Sequence, residues 1–112
     1  MATVYKRTAT IAINTNLSDA VDIGNSIAGC ILVPTIDSAT LSFQGSPDGV
    51  TYSSLYDSAA AEVTTGTAST GGRTVALPTT VLACRFVKIR SGTAATPVTQ
   101  TAARSLVIST KG

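Results

Sequence analysis

The sequence predicts an all-β protein, an antiparallel β-sandwich or barrel with essentially no helix. Three observations predict it. Apolar and polar residues alternate with period two through most of the apolar segments, the spacing that lines one face of a strand. Clusters of Asn, Gly, Pro and Asp punctuate the chain at short intervals, as they do between antiparallel strands. No segment sustains a 3.6-residue repeat, so stretches 17–20 and 58–61 supply at most one helical turn each. The 112 residues suffice for one core and not for two, so the chain reads as a single domain, 1–112.

The elements follow in order. Residues 3–13 alternate, with Tyr5, Ala9, Ile11 and Ile13 on one parity, as a half-buried strand does; residues 1–13 are either an ordinary amino-terminal edge strand or an arm that pairs with a neighbouring subunit. A turn at Asn14-Thr15-Asn16 leads to a short strand over 20–23, closed by Gly24-Asn25. The most apolar run, IAGCILV over 27–33, stops at Pro34 and reads as a fully buried central strand. Leu41 and Phe43 alternate with polar neighbours up to Ser46-Pro47-Asp48-Gly49. Pro47 presets φ and Gly49 takes a positive φ, so this is a hairpin turn leading into a return strand over 50–53. A weak strand over 62–65, a Gly/Ser/Thr-rich loop over 66–72 and a strand over 73–77 follow. Stretch 83–91 (ACRFVKIRS) is a long strand with apolar character on both faces, 92–103 a long loop, and 105–110 (SLVIST) closes the fold. The expected core is Ile11, Ile13, Val21, Ile31, Val33, Leu41, Phe43, Val50, Tyr52, Leu77, Phe86, Val87, Ile89, Leu106 and Ile108.

Composition argues against catalysis. Charged residues are 12% and aromatic ones 4%, there is no His or Trp, and 47 residues are Thr, Ser or Ala. Without histidine there is no Ser-His-Asp or Cys-His constellation and no imidazole metal site. No catalytic residue and no cofactor is expected. Asn16, Asp19, Asp22 and Asn25 supply oxygens at every third position but lack calcium-loop spacing, and turn-forming hydrogen bonds explain them more simply, so no metal is expected. Cys30 and Cys84 sit in apolar runs; with no export signal they are expected to be free thiols.

The net charge of +2 is spread along the chain without the dense basic stripe of a nucleic-acid binder, and no run has membrane-spanning length. The expected partners include neither nucleic acid nor membrane. Lys6 and Arg7 are followed by alternating residues, not by the apolar core of a signal peptide, so the whole chain is expected to be made and folded in the host cytoplasm. The residues singled out for a partner interface are Tyr5, Lys6, Arg7, Tyr52, Tyr56, Lys88 and Arg90. Half-buried tyrosines and edge-protecting charges account for the same residues without a partner. As an interface, the cations would meet an acidic partner surface and the tyrosines would anchor a protein or stack on a sugar.

Two resemblances carry the functional expectation. The segment LSFQGSPDGVTYSSLYD over 41–57 is similar to the strand, Ser-x-Asp-Gly, aromatic hairpin of discoidin-like, galactose-binding-like jelly rolls. Arg85-Phe86-Val87-Lys88-Ile89 and Leu106-Val107-Ile108 occupy the places of that family's later strands. The resemblance implies a jelly-roll-like sandwich; the family's sugar-binding loop residues have no match. The chain also resembles the small, Ala/Thr-rich, all-β virion proteins of tailed bacteriophages, through AVDIG at 20–24, FQGSPDGVTYSSLYD at 43–57 and RFVKIRSGT at 85–93. This implies a capsid decoration (cement) protein on the capsid surface. Its partners would be the major capsid protein and itself, in a homo-oligomer of expected trimeric order. The alternatives are a carbohydrate-binding module on a virion and a tail or head-tail completion protein.

Overall fold

The computed structural model describes residues 4–24, 26–37, 39–68 and 73–112. The strands are β1 (Val4–Ile11), β2 (Val21–Asp22), β3 (Ala28–Val33), β4 (Ala39–Ser46), β5 (Ser53–Ser54), β6 (Thr64–Ala68), β7 (Arg73–Ala76), β8 (Phe86–Ser91) and β9 (Arg104–Lys111). One sheet, A, has the order β1-β9-β3-β7; the other, B, runs β2-β8-β4-β5, with β6 sharing the β5 side of β4. Every pairing is antiparallel. Apart from β4 through β6, each successive strand crosses to the other sheet, which is the interleaving of a jelly roll and keeps each strand beside partners distant in sequence.

The core lies between the sheets. Sheet A contributes Ala9 and Ile11 from β1, Ile31 and Val33 from β3, and Leu106 and Ile108 from β9, while sheet B contributes Val21, Leu41, Phe43, Val87 and Ile89. Phe43 pairs with Ile89 across β4 and β8 and is fully buried. Ile23, Ile36, Val63, Leu77 and Val81 complete the layer from loops and element ends.

Four expected core residues lie elsewhere. Ile13 is 56% exposed because β1 ends at Ile11 and Asn14 turns the chain at φ 64°. Val50 is 81% exposed, and Tyr52 is half-buried outside the core. Both sit in a turn wider than expected: Gly49 takes φ 80°, as the Pro-Asp-Gly pattern requires, but the return strand begins only at Ser53. Phe86 faces outward because Val87 and Ile89 of the same strand face inward, and a strand cannot send adjacent residues to one side.

Other boundaries shift as well. The apolar run of β3 is not buried on both faces: Ile27 is 71% and Leu32 48% exposed, and Cys30 is half-buried. Sheet A therefore shows one face to solvent. The expected loop over 66–72 begins later, since β6 extends to Ala68; residues 69–72 lie outside the described ones, as do Thr3 and Asn25. The expected strand from residue 83 starts at Phe86, because Pro78 is followed by a single 3-10 turn, Thr79–Ala83, that buries Val81. That turn is the one helical departure among the described residues, and neither 17–20 nor 58–61 is helical.

The loop after β8 is held by Gln100, which is fully buried. Its Oε1 accepts the Asp37 N–H at 2.8 Å and Arg104 Nε at 3.1 Å, and its backbone bonds Thr15 O and the Asn14 N–H at 2.9 Å each. At the amino terminus β1 is paired with β9 over all eight residues, from Val4↔Lys111 to Ile11↔Arg104. Val4–Ile11 is therefore paired as an edge strand of its own sheet.

Phe43 tests the core assignment. Phe43→Ala is expected to cost about 3 to 5 kcal/mol, the transfer loss plus the cavity, measured by urea unfolding. A midpoint equal to that of the wild type would show that this face is not the core.

Candidate functional site

The outward face of sheet B carries Phe86, Lys88 and Arg90 from β8 opposite Ser46, Gln44 and Ser42 from β4. Arg90, expected at an interface, is instead 7% exposed. Its Nε donates to Ser42 Oγ at 3.0 Å, and its Nη2 donates to Ser54 Oγ at 3.2 Å and Glu62 Oε2 at 3.0 Å. Glu62 Oε2 also accepts the Ala94 N–H at 2.9 Å, and Ser42 Oγ donates to Gly92 O at 2.7 Å. The charge on Arg90 is spent within the fold. Leu55 and the Tyr56–Glu62 bridge continue the sheet beside it and bring Glu62 within reach of the guanidinium.

Elsewhere on β8, Lys88 is half-buried, with its Nζ 4.5 Å from the Tyr52 ring centroid, a cation–π geometry. Tyr52 is placed by the turn before it. Asp48 Oδ1 accepts the backbone N–H groups of Val50 at 2.8 Å and Thr51 at 3.0 Å together with the Ser46 hydroxyl at 2.9 Å, while Ser46 Oγ accepts the Gly49 N–H. The Thr51 and Val50 N–H groups, and then Ser46, hold the Asp48 carboxyl below its ordinary value. A Cβ at Gly49 would stand 3.4 Å from the Phe86 ring, so the turn rests on that ring.

The third part of the surface joins the two sheets. Arg85, just before β8, lays its guanidinium carbon 5.2 Å from the Phe86 centroid and donates from Nε at 3.2 Å and Nη2 at 3.1 Å to Asp22 of β2. The hydrogen bond from Arg85, with help from the Gly24 N–H and the more distant Arg7, lowers the Asp22 pKa. Arg7 lies 5.1 Å from the Tyr5 centroid. Tyr5, Arg7, Asp22, Gly24 and Arg85 line one open hollow of about 280 Å³.

Of the seven residues singled out from sequence, the structure brings Tyr5, Arg7, Tyr52 and Lys88 to this side of the molecule. Lys6 lies on the opposite face of β1, and Tyr56, 51% exposed, sits at the far edge of β4 beside Glu62. Sequence reasoning missed the placement of Arg85, Asp22 and Phe86. The RFVKIR alternation put Phe86 and Lys88 on one face, but nothing local places Asp22 beside Arg85, since the β2–β8 pairing spans more than sixty residues of chain.

The remaining candidates resolve into structural roles. Asp19 Oδ1 accepts the Thr10 N–H and Asp22 Oδ1 the Gly24 N–H, each at 2.8 Å. Among the described residues no three His, Cys, Asp or Glu side chains gather into a metal-binding group. Cys30 and Cys84 are free thiols. Cys30 lines a hollow of about 370 Å³ on the outer face of sheet A, and Cys84 one of about 460 Å³ at the β5 edge.

Two measurements probe this geometry. Glu62→Ala leaves Arg90 buried without its carboxylate and is expected to cost about 3 kcal/mol in urea unfolding; no change would mean that water supports Arg90 equally well. Asp48 and Asp22 are both lowered from 3.8. The stability each contributes is complete above that value and is lost as pH falls through the lower folded pKa. Stability is therefore expected to fall below about pH 4, and to fall less in Asp48→Asn, which keeps the acceptor oxygen without titrating. Parallel profiles for the two proteins would contradict the turn chemistry.

Compared with protein-family models, with curated proteins and with solved structures, the chain matches none of them.

Proposed function

We propose that the chain is a structural protein of a tailed-bacteriophage virion, a decoration (cement) protein that binds the lattice of the major capsid protein from outside and stabilises it. One observation carries the reading. The three segments that resemble phage virion proteins, 20–24, 43–57 and 85–93, are far apart in sequence yet hold β2, the second half of β4 with β5, and β8, neighbouring strands of sheet B. Their falling on neighbouring strands of one sheet supports reading the resemblance as that of a structural unit.

The chemistry suits the role. A lattice protein acts in many symmetric copies, so each contact can be weak. The outer face of sheet A, with Val4 66% and Leu32 48% exposed, is where self-association into a small closed oligomer would remove apolar surface from water.

The test is occupancy. The protein should be present in purified particles in proportion to the major capsid protein, and added back to stripped shells it should raise the temperature at which they open. A few copies at one vertex would support the tail or head-tail alternative, and saturable binding to a glycan without shell binding would support the carbohydrate module.

A further inference from the structure

We infer that the strip formed by Tyr5-Arg7, Arg85-Phe86 and Lys88-Tyr52 is the docking surface for an acidic protein segment. The inference rests on the reading above only for the identity of the partner, a carboxylate-bearing segment of the capsid lattice. Its basis is a repeated construction. Three cations, one from β1, one preceding β8 and one on β8, each lie within 4.5 to 5.2 Å of an aromatic ring. The strip is continuous. Arg7 and Arg85 line the same hollow, Arg85 stacks on Phe86, and Phe86 and Lys88 share the outward face of β8.

The pairing decides what the strip can bind. An aromatic ring beneath a guanidinium or ammonium holds the cation in place without consuming its hydrogen-bond donors, so an acceptor meets a preorganised group. Asp22 does the same for Arg85 from the side: it engages Nε and Nη2 and leaves the end-on edge of the guanidinium for a second carboxylate. Arginine and tyrosine are also the residues that dominate protein-interface energetics. A nucleic-acid backbone fits less well, because Asp22 places a negative charge in the middle of the strip and the chain carries a net charge of only +2. The contrast with Arg90 is informative. That cation, on the same face of the same strand, is closed off by Glu62, whereas Lys88 is not ion-paired within the described fold.

The probe is a short acetylated oligoglutamate, titrated into the isotope-labelled full-length protein at about 20 mM salt, where screening is weak, and followed by amide chemical shifts. Shifts are expected at Arg7, Asp22, Arg85, Phe86, Lys88 and Tyr52, and not on the outer face of sheet A. Arg7→Ala with Lys88→Ala should weaken binding about tenfold, whereas Lys6→Ala with Lys111→Ala, an equal loss of charge on the other face, should leave it unchanged. Melting temperatures show whether each variant is folded, and the shift map of the wild type needs no variant. Equal weakening by both pairs, shifts centred elsewhere, or no binding would overturn the inference. So would a DNA duplex that binds the strip more tightly than the peptide. Oligoglutamate binding at the strip by a protein that ignores stripped shells would instead refute the capsid reading and leave the acidic-segment site standing.

Discussion

A guanidinium buried on the outer face of a sheet constrains everything placed over it. Arg90 stands on β8 where a solvent-facing side chain is expected, and a charge withdrawn from water there is tolerable only with a carboxylate and further acceptors around it. Ser42 comes from the neighbouring strand, Ser54 from the strand beyond, and Glu62 from the segment that leads into β6. Glu62 in turn fixes the loop after β8 through the Ala94 N–H. One cation thus ties together four stretches of chain on the side of the sheet away from the core.

The same sheet is built differently a few residues away. Toward the amino-terminal end of β8 the outward side chains are Lys88 and Phe86; Gly49 of the β4–β5 turn rests against the Phe86 ring, Tyr52 lies by Lys88, and the turn's one carboxylate, Asp48, is engaged by the turn's own backbone. The turn itself is rigid because Asp48 and Ser46 satisfy its backbone donors internally. Tyr52 is therefore presented to Lys88 by local hydrogen bonds, whereas Arg85 is presented to solvent by a long-range ion pair with Asp22. Two unrelated devices yield similar results: cations held against rings at the surface.

Sheet A divides its faces more simply. Its inner face supplies six of the sixteen buried apolar residues among those described, and its outer face offers small, hydroxylated and apolar side chains with Lys6 and Lys111 as the charges on β1 and β9. The two outer faces of the sandwich thus differ: that of sheet A carries the exposed Lys6 and Lys111, and that of sheet B carries Lys88 held against Tyr52.

Much of this was legible in the sequence. The period-two alternation of Ala9 and Ile11, of Leu41 and Phe43, and of Leu106 and Ile108 determined which side chains face inward, since a strand has only two faces. The Pro47-Asp48-Gly49 pattern determined the left-handed residue at Gly49, since a backbone without Cβ enters that region at little cost. What local pattern could not decide is where a strand stops and which distant strand lies beside it. Ile13 and Val50 continue their apolar patterns on paper, but the turns at Asn14 and Gly49 end the strands, and those side chains point to solvent. The cations show the limit most plainly. Arg85, Lys88 and Arg90 look alike along one segment, and the tertiary structure gives them three fates: ion-paired to Asp22, stacked on Tyr52, and buried against Glu62. Burial and partnership of a charge depend on the strands paired alongside and the segments folded over them, and those arrive from tens of residues away.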